Sequence, residues 1–127
     1  MINNKLNYRS DADFTNLTIL YEDNHLIAVD KPNGILSQGD SSNEITLPDI
    51  VKKYIAISYN KNGNIFLGVI HRLDKCASGV ILFAKTSKAL SRMTKQFRER
   101  KIIKKYIAIV EGSINDTKNK NISSNLQ

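Results

Sequence analysis

The sequence predicts an α+β fold, a mixed but mainly antiparallel sheet with flanking helices. Three observations point there. Two short apolar runs, Thr18 to Tyr21 and His25 to Val29, bracket Glu22-Asp23-Asn24 as the arms of a β-hairpin would. Two further stretches repeat apolar residues at helical spacing behind a hydroxyl residue suited to an N-cap. The elements then run β-β-α-β-β-α-β, without the regular strand–helix alternation of a doubly wound sheet.

In chain order, residues 1–17 read as a loose, polar N-terminal arm, and residues 18–127 as the domain proper. After the hairpin comes Lys31-Pro32-Asn33-Gly34. Pro32 fixes φ and Gly34 offers a positive-φ position, so the chain turns there. Gln38 to Glu44 is a polar loop. Thr46 sits where an N-cap belongs, with Pro48 in the first turn and Asp49 completing a capping box. The helix they open extends to about Tyr59, and Leu47, Ile50, Val51, Tyr54 and Ile55 form its apolar stripe. Asn60 to Asn64 turns the chain. Ile65 to Ile70 and Val80 to Ala84 read as buried strands joined by a polar loop. Thr86 or Ser87 caps a second helix to about Arg100, with Lys88, Arg92 and Lys95 on one face and Leu90, Met93 and Phe97 on the other. Ile102 to Val110 alternates as a last strand that Gly112 closes, and Asn115 to Gln127 is a polar tail.

Composition narrows the function classes. A length of 127 residues, 41% apolar and 24% charged, suits one globular domain. No apolar run approaches the ~20 residues of a bilayer span, and the Asn-rich start does not resemble a signal peptide. A cytoplasmic protein without membrane attachment is expected. Cys76 is the single cysteine, so no internal disulfide can form, and with His25 and His71 it offers too few ligands for zinc. No zinc site is expected.

The net charge of +7 is unevenly placed. Lys85 to Lys105 holds nine of the 19 basic residues and one acid, Glu99, a local charge of +8 that leaves −1 for the rest of the chain. Such a concentrated cationic field suits a polyanion, most commonly nucleic acid. Directly upstream lies His71-Arg72-Leu73-Asp74-Lys75, on the loop between the two buried strands. Asp74 is there bracketed by Arg72 and Lys75, an arrangement that favours its charged form. The loop therefore offers a candidate nucleophile or base carried by rigid elements. A Cys76–His71 nucleophile pair is disfavoured, because nothing orients the histidine. A kinase catalytic loop is disfavoured too, since Leu73 interrupts the His-Arg-Asp pattern and no glycine-rich loop is present.

Three blocks, in order, resemble the RluA-type pseudouridine synthases, enzymes that convert uridine within RNA to pseudouridine. The first runs from Ile19-Leu20-Tyr21-Glu22-Asp23 to Ala28-Val29-Asp30-Lys31-Pro32-Asn33-Gly34-Ile35-Leu36. The second runs from Leu67-Gly68-Val69-Ile70-His71-Arg72-Leu73-Asp74-Lys75 to Lys85. The third is Phe97-Arg98 followed by Lys104-Lys105-Tyr106-Ile107-Ala108-Ile109-Val110-Glu111-Gly112. The middle block is the most specific.

The resemblance implies an isomerase with RNA as partner, ribosomal RNA before transfer RNA, needing no cofactor and monomeric when complete. It implies that Asp74 is the catalytic aspartate, that Arg72 helps to extrude the target nucleotide, and that Tyr106 stacks on the flipped uracil. His71 is read as a structural, hydrogen-bonded neighbour. Lys75, Lys88, Arg92, Lys95, Lys104 and Lys105 are the candidate RNA contacts. A non-catalytic RNA-binding remnant of such an enzyme is the alternative.

Two departures accompany the likeness. Ala77 stands where many relatives carry threonine. Relatives also continue past the Tyr106 strand into a second half of the sheet that completes the uracil pocket, and many carry an RNA-binding S4 module ahead of the catalytic domain. The resemblance therefore implies a chain truncated at its C-terminus, with an unpaired edge and weak or no synthase activity by itself.

Overall fold

The first helix shows how closely local chemistry sets an element's start. In the computed structural model, which describes residues 17–113, α1 spans Leu47–Ser58. The Thr46 hydroxyl accepts a hydrogen bond from the Asp49 backbone N–H, while the Asp49 carboxylate accepts from the Thr46 N–H at 2.9 Å. This is the expected capping box, and loss of such a cap costs about 1 kcal/mol. Leu47, Val51, Tyr54 and Ile55 turn inward, leaving Ile57 exposed.

The strands are β1 (Thr18–Glu22), β2 (Leu26–Lys31), β3 (Gly68–Val69) and β4 (Gly79–Ala84). They lie in the order β1-β2-β4-β3, and every strand pair is antiparallel. The hairpin turns tightly because the Asp23 carboxylate accepts from the backbone N–H of His25 and of Leu26, both at 2.7 Å, and from the Tyr21 hydroxyl. Led by the Tyr21 bond, these contacts hold its carboxyl at about 2. β2 and β4 pair over their full lengths, from Leu26↔Ala84 to Lys31↔Gly79. Ile27 and Val29 of β2, Ile81 and Phe83 of β4 and the apolar stripe of α1 make the core, with Leu17, the last residue assigned to the arm, packed among them.

Helix α2 (Ser87–Arg98) starts at its expected cap, where the Thr86 hydroxyl accepts from Ala89 N–H at 3.1 Å. It ends two residues before the expected boundary. Ala89 is buried and Leu90, Met93 and Phe97 are half-buried, whereas Lys88, Arg92 and Lys95 are exposed. Leu90 presses on the sheet at Gly68, where an added Cβ would stand 2.9 Å from both Leu90 methyl carbons.

Two expectations need correction. The strand expected over 65–70 shrinks to Gly68–Val69, and it ends there because beyond Val69↔Phe83 the next β4 donor, Leu82 N–H, is taken by His71 Nε2 at 3.0 Å. An imidazole occupies the place a strand carbonyl would fill. The strand expected over Ile102 to Val110 is absent. Among the described residues no backbone hydrogen bond reaches this stretch, and Ile107 and Ile109 stand fully in solvent. Alternating β-branched residues do not make a strand without a neighbour to pair with. The expected mainly antiparallel sheet with flanking helices is present, with every strand pair antiparallel among the described residues and one isolated parallel bridge, Leu36↔Thr46, beside them. The N-terminal arm up to residue 16 and most of the expected tail, 114–127, lie outside the described residues.

Candidate active site

Asp74 stands on the loop between β3 and β4, on a turn closed by Ala77 N–H donating to the Asp74 carbonyl at 3.0 Å. Its side chain is exposed. Among the described residues its carboxylate takes no hydrogen bond and no ion pair. The expected bracket of two cations is therefore not built. The Lys75 ammonium reaches instead to Glu44 at 2.7 Å, a hydrogen-bonded pair that raises the lysine's pKa. Successive side chains on an extended loop diverge, and Arg72 too is exposed without an acid partner among the described residues.

The cation that lies under the loop is Lys31. It is fully buried, and its ammonium donates to the carbonyls of Pro32 and Lys75, each at 3.1 Å, and of Ala77 at 2.6 Å. Three donors meet three acceptors, so the group is satisfied without a carboxylate. Lys31 points inward because it continues the alternation of Ile27 and Val29, and its cross-strand partner, Gly79, sets no side chain opposite it. Burial pulls its pKa down, against the opposing pull of Cys76 and Asp74. Gly34, at the expected positive φ (91°), adds a bond from its N–H to the Lys75 carbonyl at 2.8 Å. The segment from 31 to 34 thus holds the backbone on the far side of Asp74.

His71 has the structural place foreseen for it. Its ring stacks on Phe97 with centroids 5.0 Å apart, and Nε2 accepts from Leu82 N–H, a bond that requires the neutral ring. Burial first, and the Lys104 charge second, lower its pKa. Tyr106 is exposed, and no hydrogen bond or ring contact joins it to Asp74 among the described residues. Lys88, Arg92 and Lys105 are exposed, as is Lys95, which lies 3.9 Å from Glu99. No cluster of three or more His, Cys, Asp or Glu suited to a metal occurs among the described residues.

An exposed carboxylate on a braced loop, in a molecule with a basic face on α2, is the arrangement found here. The sequence profile described as RNA pseudouridylate synthase matches residues 25–126. The chain belongs to this family. It is 39% identical over 94 residues to ribosomal large subunit pseudouridine synthase C of Buchnera aphidicola subsp. Schizaphis graminum, covering 74% of this chain and 28% of that protein. It is also 39% identical over 103 residues to ribosomal large subunit pseudouridine synthase D of Borreliella burgdorferi, covering 78% of this chain and 31% of the relative. Among solved structures it resembles human RNA pseudouridylate synthase domain containing 4, with a TM-score of 0.56, 25% identity, and coverage of 65% of this chain and 30% of that one. The chain thus spans about a third or less of the length of the relatives it matches.

The sequence reading passed over two residues that shape the site of this pseudouridylate synthase family member. In sequence Lys31 reads as part of a turn, and only with Ile27 and Val29 known to face the core does its parity with them place it inside. Ser37 carried no local signal at all. It is buried, and it meets the Asp74 loop only through the tertiary fold.

Proposed function

We propose that this chain carries the catalytic aspartate of an RNA pseudouridine synthase acting on uridine in ribosomal RNA, in the cytoplasm. The observation that carries the reading is the free, exposed Asp74 carboxylate on a loop whose backbone is pinned by Lys31 and Gly34. The names of the bacterial relatives support the large ribosomal subunit as the source of the substrate.

The reaction breaks the N1–C1′ bond, turns the uracil and joins C5 to C1′. The C5 proton is lost and N1 gains one, so atoms balance without water, redox partner or metal. A carboxylate at this place can stabilise positive charge at C1′, remove a ribose proton or attack covalently. Reaching the base requires flipping it out of its stack, at a few kcal/mol. The exposed Arg72 guanidinium is suited to fill the gap. Lys88, Arg92 and Lys95 on α2, with Lys104 and Lys105, would meet phosphates. Lys75 contributes less, because binding RNA would compete with Glu44. Tyr106 is proposed to stack on the flipped base once its segment is brought over the site.

A second reading, a non-catalytic RNA binder, is favoured by the separate and exposed placement of Tyr106. Asp74→Asn separates the two. Turnover is measured as pseudouridine formed in ribosomal RNA, and affinity by filter binding over a salt series. The synthase reading expects weak turnover at most from the chain, none in the variant, and affinity kept within about twofold. Turnover that survives in Asp74→Asn overturns the synthase reading, and an RNA affinity with no Asp74-dependent function supports the binder instead.

A further inference from the structure

A buried hydroxyl that spends both of its hydrogen-bonding roles on one residue of an exposed loop is an unusual use of serine. Ser37 is 5% exposed. Its Oγ accepts from the Leu73 N–H at 3.0 Å and donates to the Leu73 carbonyl. The side chain thereby mimics one rung of a β-ladder, engaging both backbone groups of the residue before Asp74. Ser37 is itself anchored, because its neighbour Leu36 bridges to Thr46 and accepts from Leu47 N–H at 2.8 Å. A continuous line of bonds therefore runs from the capped start of α1 through Leu36 and Ser37 to Leu73.

On the other side of Asp74, the Lys75 and Ala77 carbonyls are held by Lys31. Residues 73, 75 and 77 are each bonded to the 31–37 segment, while the residue between the first two presents its carboxylate to solvent. A loop that merely joined β3 to β4 would have no need of a buried side-chain rung at the residue before an exposed acid.

We infer that Ser37 is a positioning residue for Asp74, fixing the backbone from which the carboxylate reaches substrate. The inference rests on the reading that Asp74 is the reactive group. Its consequence is that Ser37 governs turnover rather than RNA affinity, and local order rather than global stability.

Native-state amide exchange and backbone relaxation of the 127-residue chain test it. In the unaltered protein the Leu73 amide is protected and Asp74 is ordered, with an order parameter near about 0.85. In Ser37→Ala the Leu73 amide exchanges at least about tenfold faster, as loss of two hydrogen bonds requires. The Asp74 order parameter falls below about 0.6, while exchange at Ile27, Val29, Ile81 and Phe83 is unchanged. Ser37→Thr keeps the hydroxyl and restores protection at Leu73. Where turnover is measured, Ser37→Ala lowers kcat about tenfold or more at unchanged KM. An unprotected Leu73 amide in the unaltered chain overturns the inference without recourse to any variant. So does unchanged Asp74 order in Ser37→Ala, or acceleration shared equally by the core amides. Turnover that survives in Asp74→Asn, in a chain whose Leu73 and Asp74 behave as stated, counts against the synthase reading alone.

Discussion

The loop over 71–78 and the segment over 102–110 are both irregular backbone, yet the fold treats them in opposite ways. The first is polar and short of β-formers, and its backbone is bonded to Lys31, Gly34 and Ser37. The second is rich in isoleucine and valine, and among the described residues nothing bonds to its backbone. Order in this molecule follows available partners more closely than intrinsic propensity. Asp74 is consequently the braced half of the proposed site, and Tyr106 the unbraced half.

The sharpest separation comes from truncating a side chain in each setting. Phe83→Ala removes a fully buried ring from the core and should destabilise the chain by about 3–5 kcal/mol. Ile109→Ala, in full solvent, should change stability by less than about 0.5 kcal/mol. Urea denaturation measures both. A cost above 1 kcal/mol for Ile109→Ala, on the scale of about 0.5 kcal/mol for surface changes, would show the segment packed after all.

Removing the brace should make the first region resemble the second. Lys31→Met takes the ammonium donor from the carbonyls of Pro32 and Ala77 and leaves the Lys75 carbonyl with the Gly34 N–H alone. Release from a buried charge offsets part of that loss, and a net destabilisation of about 1–3 kcal/mol is expected. Limited proteolysis should show cleavage moving into 73–78, until then confined to the 102–110 side. A digestion pattern identical to that of the parent chain would sever the link between Lys31 and loop order.

The smallest effect is a pH dependence at His71, which stacks on Phe97 and is influenced by the Lys104 charge. Its folded pKa is lowered from 6.5, so between the folded value and 6.5 the unfolded chain binds more protons. Stability is therefore complete above that range and falls as pH drops through it, no faster than about 1.4 kcal/mol per pH unit. Glu22 contributes separately and at lower pH. Burial raises its pKa, but hydrogen bonds from Lys85, Tyr59 and Tyr54 outweigh this and hold it below 4.5, so its share is lost as pH falls below that value. Urea midpoints followed from about pH 8 to about pH 5 should decline from near 6.5, and His71→Asn should flatten the upper part of the curve. A decline that persists unchanged in the variant would assign it to other groups.

Much of this architecture was readable residue by residue. The Thr46–Asp49 box, the Thr86 cap, the Asp23 turn and the positive φ of Gly34 depend on neighbours within a few positions, and each is realised. The apolar runs His25 to Val29 and Val80 to Ala84 also marked the two central strands, though not which of their faces meets the core. Where a decision needed a distant partner, local pattern was insufficient. The length of β3 depends on a histidine side chain competing for Leu82 N–H, and the direction of Lys75 depends on Glu44, 31 positions away.

The sequence by itself determined the family, through the His71-Arg72-Leu73-Asp74-Lys75 loop and its flanks, together with the helix starts, the hairpin and the concentration of charge on α2. Those features are short-range, or add up over a segment. Tertiary structure alone decided that Lys31, Gly34 and Ser37 hold the Asp74 loop, that Arg72 and Lys75 do not pair with its carboxylate, and that the 102–110 stretch is unpaired among the described residues. These outcomes depend on which backbone groups meet across long separations in the chain, and a hydrogen bond forms only where the fold delivers donor and acceptor to the same place.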